Sequence, residues 1–232
     1  MGRLIERRHD LMESPSDYVR DGLIFFLDGL NRGGVSGEWK DVVGGKIFVL
    51  NGGYVEYDNM VLFGNSSYGV YDGYVSDNHD GETGEFVLSG LSTSSIGQGI
   101  FIQPLVEGQK VGYSVYHRDG NWWFEINNAR HNAYKVTTGA NQNMTISTQG
   151  YTDALGVQNA VTKPRNGQTN YWGGNTTGKT YLAARVISGN PYQFYSGAVY
   201  AVRIYNRKLT RAEVLNNQRL DNFRYNLGLN LD

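Results

Sequence analysis

Hydrophobic and polar residues alternate most regularly near the end of the chain, in residues 196–206. In an extended segment, the odd-numbered residues from Val199 to Tyr205 would share one face. The even-numbered residues from Tyr200 to Ile204 would share the other. A period of two, rich in β-branched and aromatic residues, predicts a β-strand.

A helix is predicted directly after this strand. Thr210 and Glu213 have the Ser/Thr-x-x-Glu spacing of a capping box, in which each side chain accepts a hydrogen bond from the other residue's backbone N–H. The end of the chain is therefore expected to form one strand, one turn and one capped helix. The patterns before it predict strands.

Short apolar runs bounded by Gly, Asn or Asp predict those earlier strands. They are residues 23–27, 46–50, 61–63, 85–88, 144–147 and 181–187. Residues 111–126 predict a hairpin, because two alternating segments flank Asp119-Gly120, a dipeptide suited to a tight turn. Residues 149–180 are polar and rich in Asn, Gly and Thr, so they are predicted to be mostly loop.

The C-terminal unit and the start of the body carry motifs that resemble a known family. The strand ends in Val-Arg-Ile-Tyr-Asn-Arg, the helix begins with Leu-Thr-x-x-Glu, and Asn217 and Asp221 follow. Four earlier motifs also match: GLIFFLDG at 22–29, WKD at 39–41, GG at 44–45 and VLFG at 61–64. In these motifs the chain resembles a laminin-G-like domain of the concanavalin A-like lectin/glucanase superfamily.

This resemblance implies an all-β fold, with two curved antiparallel sheets forming a jelly-roll sandwich and a C-terminal α-helix packed on its outside. A chain of 232 residues with 40% hydrophobic content can bury the core of one such domain. We expect the domain to span residues 21–232. Residues 1–20 are expected to be an N-terminal arm, either solvated or ordered against another subunit as an attachment segment.

Composition excludes several classes of function. The formal net charge is −1, which gives no electrostatic basis for binding nucleic acid or an anionic membrane. The chain has no cysteine, which excludes disulfides and thiolate metal sites. No apolar run is long enough for a signal peptide or a membrane span, so we expect synthesis in a cytoplasm without a signal peptide.

One motif matches a nucleotide-binding signature but lacks its context. Residues 173–180, GGNTTGKT, fit the phosphate-loop pattern G-x-x-x-x-G-K-[ST]. A phosphate loop must follow a buried strand and open a helix whose N–H groups face the phosphates. Here polar residues precede the motif and an apolar, strand-like run follows it. We therefore expect no nucleotide site.

Catalytic carboxylates are not indicated by any motif. The glucanase signature Glu-x-Asp-x-x-Glu is missing from the sequence. Glu82 and Glu85 lie in a segment that is predicted to be a solvated loop. Acids from separate strands could still converge, so a glycan-cleaving hydrolase remains an alternative. No cofactor is expected, although residues 77–80, Asp-Asn-His-Asp, could hold calcium through oxygen ligands or could simply form a polar turn.

Aromatic residues give the candidate ligand site. Trp122 and Trp123 are adjacent in a predicted strand, so their side chains belong to opposite faces, and Tyr171 and Trp172 lie in the polar region. Indole and phenol rings stack on the apolar faces of sugars, whose hydroxyls bond to Asn, Asp and backbone groups. These four residues are the candidate glycan-binding residues. The alternative is that one residue of each pair is buried and the other lies in a loop or subunit contact.

The missing cysteine, the arm before the fold and the Gly- and Asn-rich β body together resemble phage virion proteins. That resemblance implies a non-catalytic binding or decoration module on a head fibre, capsid or tail appendage. Residues 1–20 would bind other virion subunits in a homo-oligomer, and loops could bind cell-surface glycan. A purely structural interaction domain is a further alternative. Arg203 is expected to form an outer-face salt bridge to the C-terminal helix, through Glu213 or Asp221.

Overall fold

The structure, a computed structural model, describes residues 17–76, 81–91, 98–103, 113–118, 121–126, 130–135, 139–149, 153–163, 165–169, 178–187 and 190–231. Within these ranges the chain forms two antiparallel sheets, a small hairpin and one α-helix near the C-terminus. The expected all-β sandwich with a C-terminal helix is confirmed.

The first sheet holds eight strands of the described chain. They are β1 (Leu23–Asp28), β4 (Val55–Glu56), β5 (Val61–Phe63), β7 (Gly81–Leu91), β12 (Gly139–Gln149), β13 (Asp153–Gln158), β14 (Val161–Lys163) and β19 (Gly197–Tyr205). Their order is β14-β13-β12-β7-β19-β5-β4, and β1 pairs with β19 beside β5. The C-terminal strand thus lies in the middle of this sheet.

The second sheet holds nine strands of the described chain. They are β2 (Glu38–Lys40), β3 (Ile47–Asn51), β6 (Tyr68–Tyr71), β8 (Gln98–Gln103), β9 (Tyr113–Arg118), β10 (Asn121–Ile126), β11 (Arg130–Lys135), β15 (Arg165–Thr169) and β16 (Thr180–Leu182). Their order is β15-β11-β10-β9-β8-β16-β6-β3-β2. A separate hairpin consists of β17 (Arg185–Ile187) and β18 (Asn190–Tyr192). The pairing of β9 with β10 confirms the predicted hairpin.

The main core lies between the sheets and is rich in aromatic rings. Phe25 of β1 packs 5.6 Å from Phe48 of β3 and 5.9 Å from Phe101 of β8, measured between ring centroids. These rings and Trp39 are at most 1% exposed. Burial of such large apolar side chains is the main stabilising contribution to a fold that has no disulfide.

A second apolar layer lies outside the first sheet, under the helix. Helix α1 (Arg211–Arg224) begins at Thr210 with the predicted capping box, in which Thr210 and Glu213 exchange hydrogen bonds. Leu220 packs with Phe26, Val87 and Ala201 on the outer face of the sheet. The helix therefore closes the face of the first sheet that points away from the core.

The predicted alternation of β19 is correct from residue 201 onward and wrong before it. A bulge between Val199 and Ala201 shifts the register with β7. Val199 consequently packs in the main core with Val202 and Ile204, whereas it was predicted to share a face with Ala201. A bulge adds one residue to one strand, so the faces exchange at that point.

Two predicted loops contain strands instead. The segment 149–180 holds β13, β14 and β15, and the predicted loop around Glu82 and Glu85 is the start of β7. The predicted strand 181–187 is also interrupted, because β16 ends at Leu182 and β17 begins at Arg185. In the two predicted loops, pairing with a neighbouring strand outweighs the local preference of polar or glycine residues for loops.

The packed part of the domain begins no later than residue 18. The Tyr18 ring is 3% exposed and meets Phe26 edge to face at 5.4 Å. The backbone N–H of Val19 donates to Asn217 Oδ1 of the helix at 3.1 Å. Tyr18 and Val19 belong to the segment predicted as an arm, yet they pack with the domain. Residues 1–16 lie outside the described residues.

Candidate functional site

A groove opens on the outer face of the second sheet, where β3 and β6 lie side by side. Its volume is about 640 Å³, which is within the range of roughly 300–1,000 Å³ that is typical of small-molecule sites. Val49 pairs with Val70 across the two strands, and both line the groove together with Ile47. The groove therefore has an aliphatic floor carried by paired strands.

The floor is open to solvent although its residues are apolar. The side chains of Ile47 and Val49 are 38% and 49% exposed, whereas the alternating Phe48 and Leu50 are buried in the main core. Strand β3 is thus apolar on both faces, and one of these faces has no cover within the described residues. Exposed apolar surface with a polar border is typical of a binding surface.

Asp41 shapes one wall of the groove without facing it. Its Oδ1 accepts hydrogen bonds from the backbone N–H groups of Phe26 and Val43, and its Oδ2 accepts one from Gly44. These bonds hold the turn that leads from β2 to β3. Gly45, which has a φ of 71°, and Lys46 follow in that turn and border the groove. The WKD motif therefore has a structural role here.

The rest of the border is polar. Lys46, Asn51, Asp72 and Lys179 line the groove around the apolar floor. Lys179 Nζ lies 3.9 Å from Asp72 Oδ1, and the two side chains are 46% and 86% exposed, so this ion pair is weak. Such a site can hold a small molecule that has one apolar face and several hydroxyl or charged groups.

The groove does not have the carboxylate pair that most glycosidases use. Among the described residues that line it, Asp72 is the one carboxylic acid. Glycoside hydrolysis normally needs two carboxyl groups about 5–10 Å apart across the scissile bond. The described lining of the groove therefore does not supply such a pair.

A second concavity lies at the far end of helix α1. It has a volume of about 790 Å³ and is lined by the end of the helix and by residues of 226–231. Arg224 borders it but donates to Asp28 Oδ2 at 2.7 Å. Burial would raise the pKa of the Asp28 carboxyl, but Arg224 and the hydrogen bond from Tyr225 lower it below its ordinary value. The Arg224–Asp28 ion pair therefore stabilises the end of the helix. We favour the groove because paired strands position side chains more precisely than a loop does.

The densest group of charges is buried beneath helix α1. Arg203 Nε donates to Glu85 Oε2 at 2.7 Å, Arg203 Nη1 donates to Asp221 Oδ1 at 2.7 Å, and all three side chains are 0% exposed. The predicted pairing of Arg203 with Asp221 is confirmed. The expected exposure is wrong, because the helix seals the pair, and Glu213 pairs with Arg207 instead.

Neighbouring polar groups complete this network. Tyr18 Oη donates to Asp221 Oδ1 at 2.7 Å, and Asn217 Nδ2 donates to Glu85 Oε2 at 3.0 Å. Burial alone would lower the pKa of the Arg203 guanidinium, but the charges of Asp221 and Glu85 raise it above its ordinary value. Burial raises the pKa of the Glu85 carboxyl, although Arg203 opposes that shift. The network is closed to solvent, which indicates a structural role.

Glu82 and Glu85 are not in a solvated loop. Each is 1% exposed as a residue and lies in β7. Glu85 binds Arg203, and Glu82 accepts a hydrogen bond from the Ser76 hydroxyl. Neither carboxylate borders the groove. The two acids that looked most like candidates for catalysis are therefore internal partners of the fold.

The four predicted ligand residues remain a prediction. Trp122 and Trp123 lie in β10, and their backbones pair with His117 and Tyr116 of β9. Tyr171 and Trp172 lie outside the described residues.

The two remaining motifs lie mostly outside the described residues. Residues 77–80, the possible calcium segment, lie outside the described residues, and the residues that are described hold no group of three metal-binding side chains. At the end of the phosphate-loop match, Thr180 begins strand β16 and not a helix. In addition, no helix in the described ranges is long and apolar enough to cross a membrane.

Sequence reasoning did not find the groove residues. The search for a glycan site followed aromatic side chains, whereas this floor is aliphatic. One signal was present: residues 47–50 are apolar at consecutive positions, which is unusual for a strand with one face in water. The sequence drew attention to Lys179 only as the lysine of the phosphate-loop match at residues 173–180.

Solved structures of similar fold include a sialidase. Trypanosoma rangeli sialidase in complex with sialic acid matches 94% of this chain and 37% of its own, with a TM-score of 0.62 and 12% identity. The binding domain of botulinum neurotoxin DC matches 88% of this chain and 52% of its own. Its complex with rat synaptotagmin II gives a TM-score of 0.62 at 11% identity, and its complex with SialylT gives 0.60 at 10%.

The fold shared with these proteins is a two-sheet β-sandwich, and identities of this size support the fold alone. The chain spans about half or less of the length of these proteins. Comparison with protein-family models and with curated proteins gives no significant match.

Proposed function

We propose that this chain is a non-catalytic module that binds glycans in the groove between the outer faces of β3 and β6. The observation that carries the proposal is the groove itself, with the floor of Ile47, Val49 and Val70 inside a polar border. A sugar ring has an apolar face and peripheral hydroxyls, so it matches that distribution.

The similar structures support this choice of ligand class. One of them is a sialidase in complex with sialic acid, and another is a toxin binding domain in complex with SialylT. The proposal that the module is non-catalytic rests on the single carboxylate that borders the groove and on the burial of Glu82, Glu85 and Asp221.

The biological setting that we propose is a phage virion, with this chain as a laminin-G-like domain on a head fibre, capsid or tail appendage. This part rests on the sequence motifs and composition, and residues 1–20 are the proposed attachment to other subunits. A truncation that removes residues 1–16 leaves the packed Tyr18 in place and tests the attachment directly. The truncated chain should fold but should not enter particles, and normal incorporation would contradict this part.

The glycan site is tested with a glycan array and a matched pair of variants. Val49→Gln places a larger polar side chain on the groove floor. Val55→Gln makes the same change in β4 of the other sheet, where the valine is 48% exposed against 49% for Val49. The wild-type chain and Val55→Gln should bind the same glycans, and Val49→Gln should lose at least roughly tenfold in affinity.

Two results would contradict the glycan site. The first is that the wild-type chain binds no glycan on the array when it is presented multivalently, which compensates for weak single sites. The second is that Val49→Gln and Val55→Gln bind equally well, which would place any glycan site elsewhere.

A further inference from the structure

An aromatic cluster lies beside the groove on the same face of the second sheet. The Tyr68 ring lies 6.3 Å from the Tyr181 ring and 6.2 Å from the Phe194 ring, measured between centroids. Tyr68 is two residues from Val70 along β6, so the two side chains share a face about 7 Å apart. Tyr181 is the cross-strand partner of Val70. The cluster thus continues the groove floor without a break.

The cluster is only partly covered. Tyr181 is 4% exposed and forms its base, while Tyr68 and Phe194 are half-buried at the surface. On the first sheet, the aromatic rings of the outer face are covered by helix α1, but no described helix covers these rings. Packing among the described residues therefore does not fully account for three rings on this face.

A polar group lies beside both the cluster and the groove. Asn51 is the cross-strand partner of Tyr68 and also borders the groove. Its Nδ2 donates to the Val49 carbonyl at 3.0 Å, which fixes the position of the amide. An amide beside an apolar surface can accept a hydrogen bond from a hydroxyl of a sugar ring that lies on that surface.

We infer that the groove and the aromatic cluster are two subsites of one site, so that the ligand is an oligosaccharide of at least two sugar units. One unit occupies the groove over Val49 and Val70, and the next stacks against Tyr68, with Asn51 beside both. This inference rests on the proposed glycan-binding function and adds the length of the ligand. An aromatic ring is suited to the second unit because stacking adds to the affinity beyond the area buried.

The test is a set of matched sugar ladders, measured by isothermal titration calorimetry. Each ladder contains a mono-, a di- and a trisaccharide with the same terminal unit, and the terminal units are sialyl, galactosyl, glucosyl, mannosyl and N-acetylglucosaminyl. In a ladder that binds, the wild-type chain should gain roughly tenfold in affinity from the mono- to the disaccharide. Tyr68→Leu, which keeps apolar bulk but removes the ring, should lose this gain and keep monosaccharide affinity.

Two further variants control for folding and for unspecific effects of a lost ring. Tyr68→Phe keeps the ring and should keep the gain. Tyr57→Leu removes a tyrosine that is 45% exposed at the end of β4, in the other sheet, and should also keep it. Thermal unfolding of each variant shows whether the domain is intact.

The outcomes separate this inference from the function on which it rests. If no ladder binds to the wild-type chain, the proposed glycan binding itself fails. If sugars bind but affinity does not rise with length, or if Tyr68→Leu keeps the full gain, glycan binding stands and the second subsite is wrong.

Discussion

The outer faces of the two sheets differ in what they bury. On the first sheet, Arg203 and Glu85 are charged and yet fully buried, because helix α1 covers them and supplies Asp221. On the second sheet, Val49 and Ile47 are apolar and yet open to solvent. Residue type alone would have assigned function to the first face. Which face can bind a ligand depends on whether another element covers it. A buried charge can act only on its internal partners, whereas an exposed apolar surface can receive a ligand.

The largest effect is expected from breaking the covered face. Arg203→Met leaves the Glu85 and Asp221 carboxylates buried without their cation, and loss of one partner of a buried ion pair costs about 3–5 kcal/mol. We expect a decrease of this size in the free energy of unfolding, measured by urea denaturation followed by circular dichroism. If the loss is below about 1 kcal/mol, the network is not the structural element that its burial suggests.

Glu85→Gln is the matched control for that experiment. It removes one negative charge but keeps an oxygen that can accept from Arg203 Nε, and Arg203 retains both of its hydrogen bonds to Asp221. Because burial already raises the pKa of Glu85, the neutral side chain fits the site. Its destabilisation should be clearly smaller than that of Arg203→Met.

A medium effect on stability is expected at the N-terminus of helix α1, which covers the first sheet. Thr210→Ala removes the side chain that accepts the Glu213 backbone N–H, and loss of such a cap costs about 0.5–2 kcal/mol. Thr210→Ser retains the hydroxyl and should stay close to wild type. Unfolding midpoints of the three proteins decide the matter. Equal midpoints for all three would show that packing of Leu220 and its neighbours positions the helix without the cap.

The covered face was largely predictable from sequence. The capping box of Thr210 and Glu213 and the period-two pattern of β19 have local causes, so a single sequence reveals them. Arg203 could be assigned to the helix because it interrupts an otherwise apolar pattern next to a helix that carries acids. The burial of Arg203 could not be predicted, because its partner Glu85 lies 118 residues away in the sequence. The segment around Glu85 also contains two glycines, which are typical of loops.

The open face was not predictable in the same way. Strand β15, at the edge of the second sheet, is polar and lacks the apolar alternation that identifies a half-buried strand, which an edge strand does not need. The groove joins β3, β6 and Lys179, which are adjacent only because strand β6 lies between β3 and β16. The sequence of each strand does not show which strands are neighbours in the sheet.

A smaller effect concerns pH and again belongs to the covered face. The hydrogen bond from Arg207 lowers the pKa of Glu213 from its ordinary value of 4.5 to about 2. A lowered pKa in the folded state stabilises the fold above the pKa of the unfolded state, and this contribution is lost as pH falls toward the folded value. The wild-type chain should therefore exceed Glu213→Gln in unfolding temperature above pH 4.5 and lose that lead between pH 4.5 and 2.

Glutamine keeps the reach of Glu213 in the capping box, so this comparison isolates the charge. The side chain is 28% exposed, so solvent screens the ion pair and the difference should be small. Arg207→Gln removes the cation and should reduce the pH dependence of the difference, leaving the part that is due to the hydrogen bonds from Thr210. A lead of the wild-type chain that persists unchanged down to pH 2 would show that the ion pair does not depress the pKa.

The smallest effect on stability, and the sharpest contrast with Arg203, is expected at the open face. Val49 and Val55 are equally exposed strand residues of opposite sheets, and neither Val49→Gln nor Val55→Gln buries an unpaired polar group. Each should change the free energy of unfolding by less than about 0.5 kcal/mol. Urea denaturation of both variants, run beside their glycan-binding curves, then separates the two faces. Substitution of a residue of the covered face should lower stability, whereas substitution of Val49 should weaken binding and leave stability unchanged. If Val49→Gln lowers the free energy of unfolding by more than about 1.5 kcal/mol, the groove floor is part of the core.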